Sequence, residues 1–198
     1  VATPARGPPV IVTTVTRISE ANIAEPGRLS SAEILSTTLT IATTLRLPML
    51  FYIEDNGLGI SVRGDMQTPG GNIARNLASF ANLLVRDGNG CDPEESARLL
   101  GDVVDHVRAG NGPALIHLTV PRLCSHSGPD NQKGYRTEAE IAFDASRDPL
   151  PRLRRHLVSA TMTESEWTEL ETQVEGDVTR ALDGARSRPA PDPSTIHR

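Results

Sequence analysis

The apolar residues in the middle of this chain alternate between short continuous runs and runs spaced at helical intervals. Residues 49–53 and 113–120 are continuous apolar runs of strand length, and residues 83–85 indicate a further short strand. Helical spacing fills the stretches between them. Because strands that alternate with helices form parallel β-α-β units, the pattern predicts an α/β fold in which helices cover a largely parallel sheet.

Five stretches carry apolar residues at the three- and four-residue spacing of an amphipathic helix. Their stripes are Leu35, Leu39, Ala42 and Leu45; Ile73, Leu77, Phe80 and Leu84; Ala97, Leu100, Val104 and Val107; Leu150, Leu153 and Leu157; and Trp167, Leu170, Val174, Val178 and Ala181. Three of these helices are also predicted to begin with capping-box spacing, in which a polar residue precedes a glutamate by three positions. These pairs are Ser30 with Glu33, Asp92 with Glu95, and Thr163 with Glu166.

The two ends of the chain carry weaker signals. The β-branched run at residues 10–15 predicts either a strand or a disordered lead-in, since proline and glycine surround it. The tail from Arg188 is rich in proline and is predicted to be disordered.

The composition and charge of the 198 residues exclude several classes of protein. The formal net charge is -5, from 20 basic and 25 acidic side chains, and no basic run is present, so nucleic acid is not an expected partner. No apolar stretch reaches the roughly 18 to 20 residues of a membrane helix. The two cysteines, Cys91 and Cys124, lack the spacing of a disulfide framework or a thiolate metal site, which favours a reducing compartment and a cytoplasmic location.

The tripeptide Asp55-Asn56-Gly57 directly follows the predicted strand at residues 49–53 and permits two interpretations. Most tripeptides of this kind are only turns. However, ligands of parallel α/β sheets bind at the carboxyl ends of strands, and an asparagine oxygen with nearby carbonyls suits a hard cation such as Mg2+. A magnesium ion at this place would imply a ligand that carries phosphate.

The polar loop at residues 121–137 follows the predicted strand at residues 113–120 and is the second candidate region. A loop of this length is more often functional or disordered than a simple connection. In a parallel sheet the strands before Asn56 and His126 end at the same edge, so the two regions are predicted to face one pocket. The side chains of the loop that carry chemistry are His126, Ser127, Asp130, Tyr135 and Arg136.

Several of these residues also have a purely structural interpretation. A lone loop histidine such as His126 is usually only solvated, and His117, inside a strand, is predicted to be a satisfied core histidine rather than a ligand. Ser127 is not predicted to be a nucleophile, because adjacent residues such as His126 and Ser127 seldom point at each other and no orienting acid is evident. Cys124 is predicted to be a free thiol.

Five segments of the chain match the motifs of one family in both order and spacing. They run from Leu45 to the last predicted helix and read LRLPMLFYIEDNGLGISV, QTPGGNIA, DGNGCDP, GPALIHLTVPRLCSHSGPDNQKGYR and DPLPRLRRHL. In this order they resemble the alpha subunit of the decarboxylating, first component of 2-oxoacid dehydrogenase complexes of the pyruvate or branched-chain type. The resemblance implies a parallel-sheet thiamine diphosphate-binding fold, apparently truncated at its N-terminus, with C-terminal helices.

The resemblance assigns roles to residues of both candidate regions. Asn56 matches the asparagine that binds magnesium, and the backbone carbonyl of Leu58 matches the second metal ligand. His126 matches the loop histidine that approaches the cofactor diphosphate, and it is the residue implied as catalytic. The cofactor-binding set implied in this way is Asn56, Gly57, Leu58, Ile60, Arg122 and His126.

The resemblance also implies an activity that the chain would share with other subunits. Proteins of this family use thiamine diphosphate and Mg2+ to decarboxylate a 2-oxo acid oxidatively and to transfer the acyl group to lipoamide. The implied partners are a beta subunit or beta half, which supplies the glutamate that activates the cofactor, and a lipoyl-bearing second component. An oligomer is therefore expected, and the identity of the 2-oxo acid stays open.

One part of the chain departs from the family pattern. Upstream of the asparagine the family carries Gly-Asp-Gly or Gly-Glu-Gly, which supplies an acidic magnesium ligand, whereas this chain has Pro26-Gly27-Arg28. Asp55 or Glu54 is the candidate replacement for that acid. We expect a truncated, frame-shifted or excerpted chain, with a divergent segment at residues 1–28, a partial cofactor-binding domain with its helices at 29–186, and a disordered tail at 187–198.

Two further interpretations stay open. A noncatalytic remnant would keep the fold and an oligomer interface but bind no cofactor, and the missing acid favours this interpretation. A different thiamine diphosphate enzyme, such as a transketolase-like protein, is disfavoured by the loop SHSGPDNQKGYR.

Overall fold

A computed structural model of the chain describes residues 11–16, 31–190 and 192–195. The chain divides into two compact units, Val1–Pro149 and Leu150–Arg198. The predicted cap at Ser30 and the Pro26-Gly27-Arg28 position lie outside the described residues. The domain bounds predicted from the sequence therefore stay predictions.

Six strands and six helices follow one another along the described part of the chain. The strands are β1 (Ile11–Thr16), β2 (Met49–Asp55), β3 (Leu58–Gly59), β4 (Val62–Arg63), β5 (Leu84–Asn89) and β6 (Ala114–Thr119). The helices are α1 (Ser31–Thr44), α2 (Ile73–Leu77), α3 (Pro93–Arg108), α4 (Glu138–Ser146), α5 (Pro149–Ala160) and α6 (Glu164–Arg186).

Four of the strands form one parallel sheet in the order β1-β2-β6-β5, which confirms the sheet predicted from the alternating pattern. The β-branched run near the N-terminus forms β1, so the strand alternative is the correct one for it. Strands β3 and β4 form a separate antiparallel pair just after β2. Because β6 is the neighbour of β2, the loops that follow these two strands emerge side by side at the carboxyl edge.

Helices cover both faces of the sheet, because successive residues of a strand point to opposite sides. On one face α3 packs against the sheet in a cluster of Leu50, Leu99, Val103, Val107, Ala114, Ile116 and Leu118. On the other face α1 and α2 contribute to a cluster of Leu39, Ala42, Phe51, Ile53, Ala74 and Leu115. The apolar run of β6 is continuous because its residues alternate between two cores.

The apolar stripe predicted for α3 is correct in part, since Val107 is buried and Val104 packs against the core. The buried residues are Leu99, Val103 and Val107, whereas Leu100 is 37% exposed. Gly88 on β5 gives the reason, because a Cβ atom at that position would lie 2.2 Å from the Leu99 Cδ1 atom. The missing side chain of this glycine leaves the space that Leu99 fills.

The start of α3 is predicted correctly, but its capping box is not. The Asp92 side chain accepts hydrogen bonds from the backbone N–H groups of Glu94 and Glu95, as an N-cap residue does. The Glu95 carboxylate accepts instead from the backbone N–H of Asn89, at 3.1 Å. It therefore ties the end of β5 to the helix rather than closing the box.

The helix predicted through Ile73, Leu77, Phe80 and Leu84 is wrong in its second half. Helix α2 ends at Leu77, and Asn82 adopts a left-handed φ of 62° in the turn that follows. A left-handed residue cannot continue a right-handed helix. Leu84 then begins β5 opposite Ala114, and this strand is longer than the predicted run at residues 83–85.

The second unit contains α6 and nearly all of α5, and both helices are predicted from the sequence. Thr163 and Glu166 form the predicted capping box, with both reciprocal hydrogen bonds present. Trp167 is buried, but the remainder of the α6 stripe is exposed, namely Leu170, Val174, Val178 and Ala181. A search of the described helices finds none that is both long and apolar enough to cross a membrane.

Candidate functional site

A cavity of about 430 Å3 opens between the turn after β2 and the loop after β6. Asn56 and His126 both belong to its wall, so the two candidate regions face one cavity, as predicted. The other lining residues are Glu54, Leu58, Gly59, Ile60, Pro121, Arg122, Leu123, Cys124 and Ser125. All residues of the cofactor-binding set except Gly57 therefore line it, while their chemical roles stay predictions.

The turn that carries Asn56 is held by its own side chains. One carboxylate oxygen of Asp55 accepts from the backbone N–H of Gly57 at 2.8 Å, and the Asn56 Oδ1 atom accepts from the backbone N–H of Leu58 at 3.0 Å. Gly57 has a φ of 78°, which glycine adopts without a steric penalty. The tripeptide is thus a turn, as its composition predicts, and the turn presents Asn56 to the cavity.

Arg122 connects the loop after β6 to the hairpin after β2. Its buried guanidinium donates to the Asp130 carboxylate at 3.0 Å, to the Tyr135 hydroxyl at 2.8 Å and to the backbone carbonyl of Ile60. The Tyr135 hydroxyl donates in turn to Asp130 at 2.7 Å. These bonds fix both sides of the cavity relative to each other.

The backbone of His126 belongs to the same network, whereas its side chain is exposed. The backbone N–H of His126 donates to the Asp130 carboxylate at 2.8 Å. Hydrogen bonds from Tyr135 and from this backbone N–H, with the Arg122 charge, lower the pKa of Asp130. Burial and the bond to Asp130 raise the pKa of Tyr135. The loop is therefore ordered around the Asp130 carboxylate, which is ionised at neutral pH.

A second buried ion pair lies beneath this loop. Arg136 donates to the Asp144 carboxylate at 2.5 Å and to the backbone carbonyl of Arg122 at 3.1 Å. Asp144 also accepts from the backbone N–H of Arg122 at 3.1 Å and pairs with Arg147. These contacts anchor the start of the loop to α4, a helix that the sequence analysis did not single out.

The hairpin of β3 and β4 is held to α4 as well. Arg63 pairs with Glu140 at 2.5 Å. Hydrogen bonds from the backbone of Thr137 and from Arg63 lower the pKa of Glu140 to about 2. A smaller cavity of about 170 Å3 lies beside this pair, and Gly57 lines it together with Asn56.

His117 lies just below the cavity, and both of its ring nitrogens are hydrogen-bonded. Nε2 lies 3.1 Å from an Asp55 oxygen and Nδ1 lies 2.8 Å from an Asp87 oxygen, while the side chain is only 2% exposed. Burial acts to lower the pKa of His117, but the hydrogen bonds and charges of Asp55 and Asp87 outweigh it and raise the pKa above 6.5. The prediction of a satisfied core histidine is confirmed.

Sequence reasoning missed the two acidic partners of His117. Asp87 falls beyond the run predicted as a strand at residues 83–85, so nothing marked it as facing the sheet. In the structure β5 continues to Asn89, and Asp87 lies directly opposite His117 on β6. Asp87 opens the motif DGNGCDP, and the two-residue period that places Val85 and Asp87 on the same face was the signal for its orientation.

Neither cysteine forms a disulfide, which agrees with the predicted free thiol at Cys124. Burial raises the pKa of Cys91, so this thiol is not activated. Across residues 11–16, 31–190 and 192–195, no group of three or more His, Cys, Asp or Glu side chains is placed to hold a metal ion.

Comparison with known proteins identifies several relatives. The chain is 32% identical over 120 residues to the 3-methyl-2-oxobutanoate dehydrogenase subunit alpha of Mycobacterium tuberculosis, which covers 60% of this chain and 32% of that protein. It is 31% identical over 156 residues to the pyruvate dehydrogenase E1 component subunit alpha of Zymomonas mobilis, with coverages of 76% and 42%. It is 30% identical over 156 residues to the 2-oxoisovalerate dehydrogenase subunit alpha of Bacillus subtilis, with coverages of 78% and 47%.

The chain thus spans between 32% and 47% of the length of these three relatives. A family model described as the dehydrogenase E1 component matches residues 27–194. This match includes the turn at Asn56, the loop at His126 and the helices that follow, and it confirms the resemblance drawn from the motifs. The chain belongs to the dehydrogenase E1 component family.

Proposed function

We propose that this chain is part of the decarboxylating component of a 2-oxoacid dehydrogenase and binds thiamine diphosphate with Mg2+ at the cavity between β2 and β6. The single observation that carries this proposal is the convergence of Asn56, Leu58 and His126 on one cavity. Its volume of about 430 Å3 is within the roughly 300 to 1,000 Å3 of small-molecule sites.

The oxygen donors at the cavity suit a hard cation. The side-chain oxygen of Asn56 and the carbonyl of Leu58 would hold magnesium, which prefers oxygen ligands. Both candidate replacement acids have partners, Gly57 and His117 for Asp55 and Tyr52 for Glu54, but Glu54 is the one that lines the cavity. Glu54 is therefore the acid that we assign to the metal.

The charges around the cavity support a role for the metal in holding a diphosphate. Arg122 is the only lysine or arginine among the described lining residues, and its guanidinium is already paired with Asp130. Magnesium would thus supply the positive charge that the diphosphate needs. His126, whose side chain is exposed at the cavity, would approach the diphosphate.

In this proposal the residues of the chain bind and orient the cofactor, which itself supplies the carbanion chemistry of decarboxylation. Asn56 and Leu58 fix the metal end, while Arg122 keeps the hairpin and the loop at a constant separation. The base that activates the cofactor belongs to a beta subunit or beta half, so no residue of this chain takes that role. The acyl group would pass to lipoamide on a second component.

A noncatalytic remnant is the second candidate, and two observations favour it. The family's acidic ligand is replaced by Pro26-Gly27-Arg28, and the described residues form no cluster of three acidic, histidine or cysteine side chains around a metal. Such a protein would keep the fold and an oligomer interface and bind neither thiamine diphosphate nor magnesium.

Titration of the chain with thiamine diphosphate and Mg2+, alone and with a beta subunit of a 2-oxoacid dehydrogenase, separates the two candidates. A ligand that binds only the folded state stabilises it by about 2.7 kcal/mol at a hundredfold excess over its dissociation constant, so a thermal shift should be visible. Asn56→Ala should abolish the shift, whereas Asn111→Ala, at an exposed asparagine outside the cavity lining, should retain it. If no thermal shift is seen, even with the beta subunit present, the chain is the noncatalytic remnant.

A further inference from the structure

We propose that Asp87 and His117 are positioning residues for the turn that carries Asn56, and that they act through Asp55. The consequence for cofactor affinity rests on the function proposed above, whereas the coupling between these residues and the turn does not. The three side chains come from three adjacent strands, β5, β6 and β2.

The strand register places the three side chains on one face of the sheet. Asp87 lies opposite His117 in the pairing of β5 with β6. Ile53 lies opposite His117 in the pairing of β2 with β6, and Asp55 follows two residues later, on the same face. The network therefore forms the polar end of the core layer that contains Ile53 and Leu115.

The hydrogen bonds form a continuous series from one loop to the other. Asn72 donates from Nδ2 to one Asp87 oxygen at 2.8 Å, and the other Asp87 oxygen contacts Nδ1 of His117 at 2.8 Å. Nε2 of His117 contacts one Asp55 oxygen at 3.1 Å, and the other Asp55 oxygen accepts from the backbone N–H of Gly57 at 2.8 Å. Each carboxylate thus uses one oxygen for the histidine and the other for a loop.

The protonation state of His117 determines whether its ring can donate hydrogen bonds to one carboxylate or to both. A neutral imidazole has one N–H group and can donate to only one carboxylate, whereas an imidazolium donates to both. With carboxylates on both sides, the imidazolium is the form that satisfies every partner. Asp87 therefore orients the ring so that Nε2–H faces Asp55, and the bond holds the Asp55 carboxylate in the position that accepts from Gly57.

Asp87 is a useful test position because it lies away from the turn. Neither Asp87 nor His117 belongs to the described lining of either cavity at the sheet edge. The Asp87 side chain is 35% exposed, so replacing it with a smaller side chain does not leave a cavity in the core. His117 is the side chain that joins Asp87 to the turn, whereas Asn72, the other hydrogen-bond partner of Asp87, caps α2.

The proposal is tested by measuring amide hydrogen exchange in the chain by NMR. The readout is the exchange rate of the Gly57 amide divided by the exchange rate of the Ile116 amide, which lies in the centre of the sheet. Asp87→Ala should raise this ratio at least fivefold, because the ring loses its orienting partner. Asp87→Asn should keep the ratio within twofold of wild type, since an asparagine amide can donate to Nδ1 and leave Nε2–H for Asp55. Asp102→Ala, at an exposed carboxylate that pairs with Arg86, is the matched control and should change nothing.

A loss of overall stability alone would speed exchange at Ile116, which needs global unfolding, more than at Gly57 and would not raise the ratio. A ratio that does not rise in Asp87→Ala would overturn the proposal. If Asp87→Ala does not fold, Asp87→Ser replaces it, because a serine hydroxyl is too short to reach Nδ1 at hydrogen-bonding distance. A parallel titration with magnesium and thiamine diphosphate should show five- to tenfold weaker binding for Asp87→Ala and unchanged binding for Asp87→Asn. If wild type binds no cofactor, the proposed function fails while the exchange ratio still decides the coupling.

Discussion

Buried charged residues organise the carboxyl edge of the sheet in this chain. Arg122, Arg136, Asp144 and His117 are all less than 9% exposed, which is rare for such residues unless they are paired. Each of them contacts an oppositely charged partner or a backbone group of the two candidate loops. The edge is therefore shaped by polar contacts, whereas the two cores beneath it are apolar.

Asp144 is the residue of this group whose loss should cost most. Asp144→Ala removes the partner of Arg136 and Arg147 and leaves the buried guanidinium of Arg136 without its carboxylate. Breaking a buried pair in this way costs about 3 to 5 kcal/mol. Urea unfolding should show this loss, whereas Asp105→Ala, at an exposed carboxylate of α3, should stay within about 0.5 kcal/mol of wild type. Equal effects of the two substitutions would contradict the role assigned to Asp144.

The residues of the candidate site differ in how far the sequence could predict them. Asn56 and His126 are predictable because a turn signal and a long polar loop each follow an apolar run, and parallel strands bring such ends together. The partners that hold these loops, Asp87 and Asp144, are 30 and 22 residues away from His117 and Arg122. Asp87 meets His117 only when the strands pair, and Asp144 meets the backbone of Arg122 only when α4 packs against the loop.

At the scale of elements, the existence of helices and strands is predicted better than their faces and ends. The alternation of apolar runs predicts β2, β6 and α3, because strand and helix periods differ. The end of α2 and the face of α3 depend instead on Asn82 and Gly88, through a left-handed backbone and through space for a neighbour. Each effect comes from a single residue and does not alter the spacing of the apolar residues, so the spacing does not reveal it.

The two leucines of α3 provide a matched test of its buried face. Leu99 is 6% exposed and Leu100 is 37% exposed, and the same substitution at either position changes helix propensity equally. Leu99→Ala should cost about 2 to 5 kcal/mol of unfolding free energy, because it leaves a cavity in the core. Leu100→Ala should cost less than about 1 kcal/mol. The reverse order would show that the face predicted from the sequence is the buried one.

At the scale of the whole molecule, the fold class and the family are predictable from the sequence, because both depend on the order of many segments. The parallel sheet, the helices on its faces and the family match over residues 27–194 agree with one another. The division of the chain into two compact units after Pro149 could not be predicted from the sequence, because the apolar pattern does not show which elements contact each other.

The stability of the first unit is also linked to pH through its two partly or fully buried histidines. His117 and His106 have pKa values that are shifted in opposite directions. Burial, followed by the charge of Arg86, lowers the pKa of His106 below 6.5. Its contribution to stability is therefore complete above pH 6.5 and is lost as the pH falls through the folded-state value. The pKa of His117 is raised above 6.5, so its contribution is complete below pH 6.5 and is lost as the pH rises through the folded-state value. The two histidines thus act on opposite sides of pH 6.5.

The unfolding free energy should therefore decline in the pH window above 6.5, as His117 loses the proton that the folded state binds more tightly. Urea unfolding at several pH values in this window measures the decline, and His117→Gln should flatten it because glutamine does not titrate. His106→Gln is the matched control and should leave the slope above pH 6.5 unchanged, since His106 is already neutral there. If His117→Gln does not fold, the imidazole NMR signal of His117 should titrate above pH 6.5. A signal that titrates below that value would contradict an imidazolium held between Asp55 and Asp87.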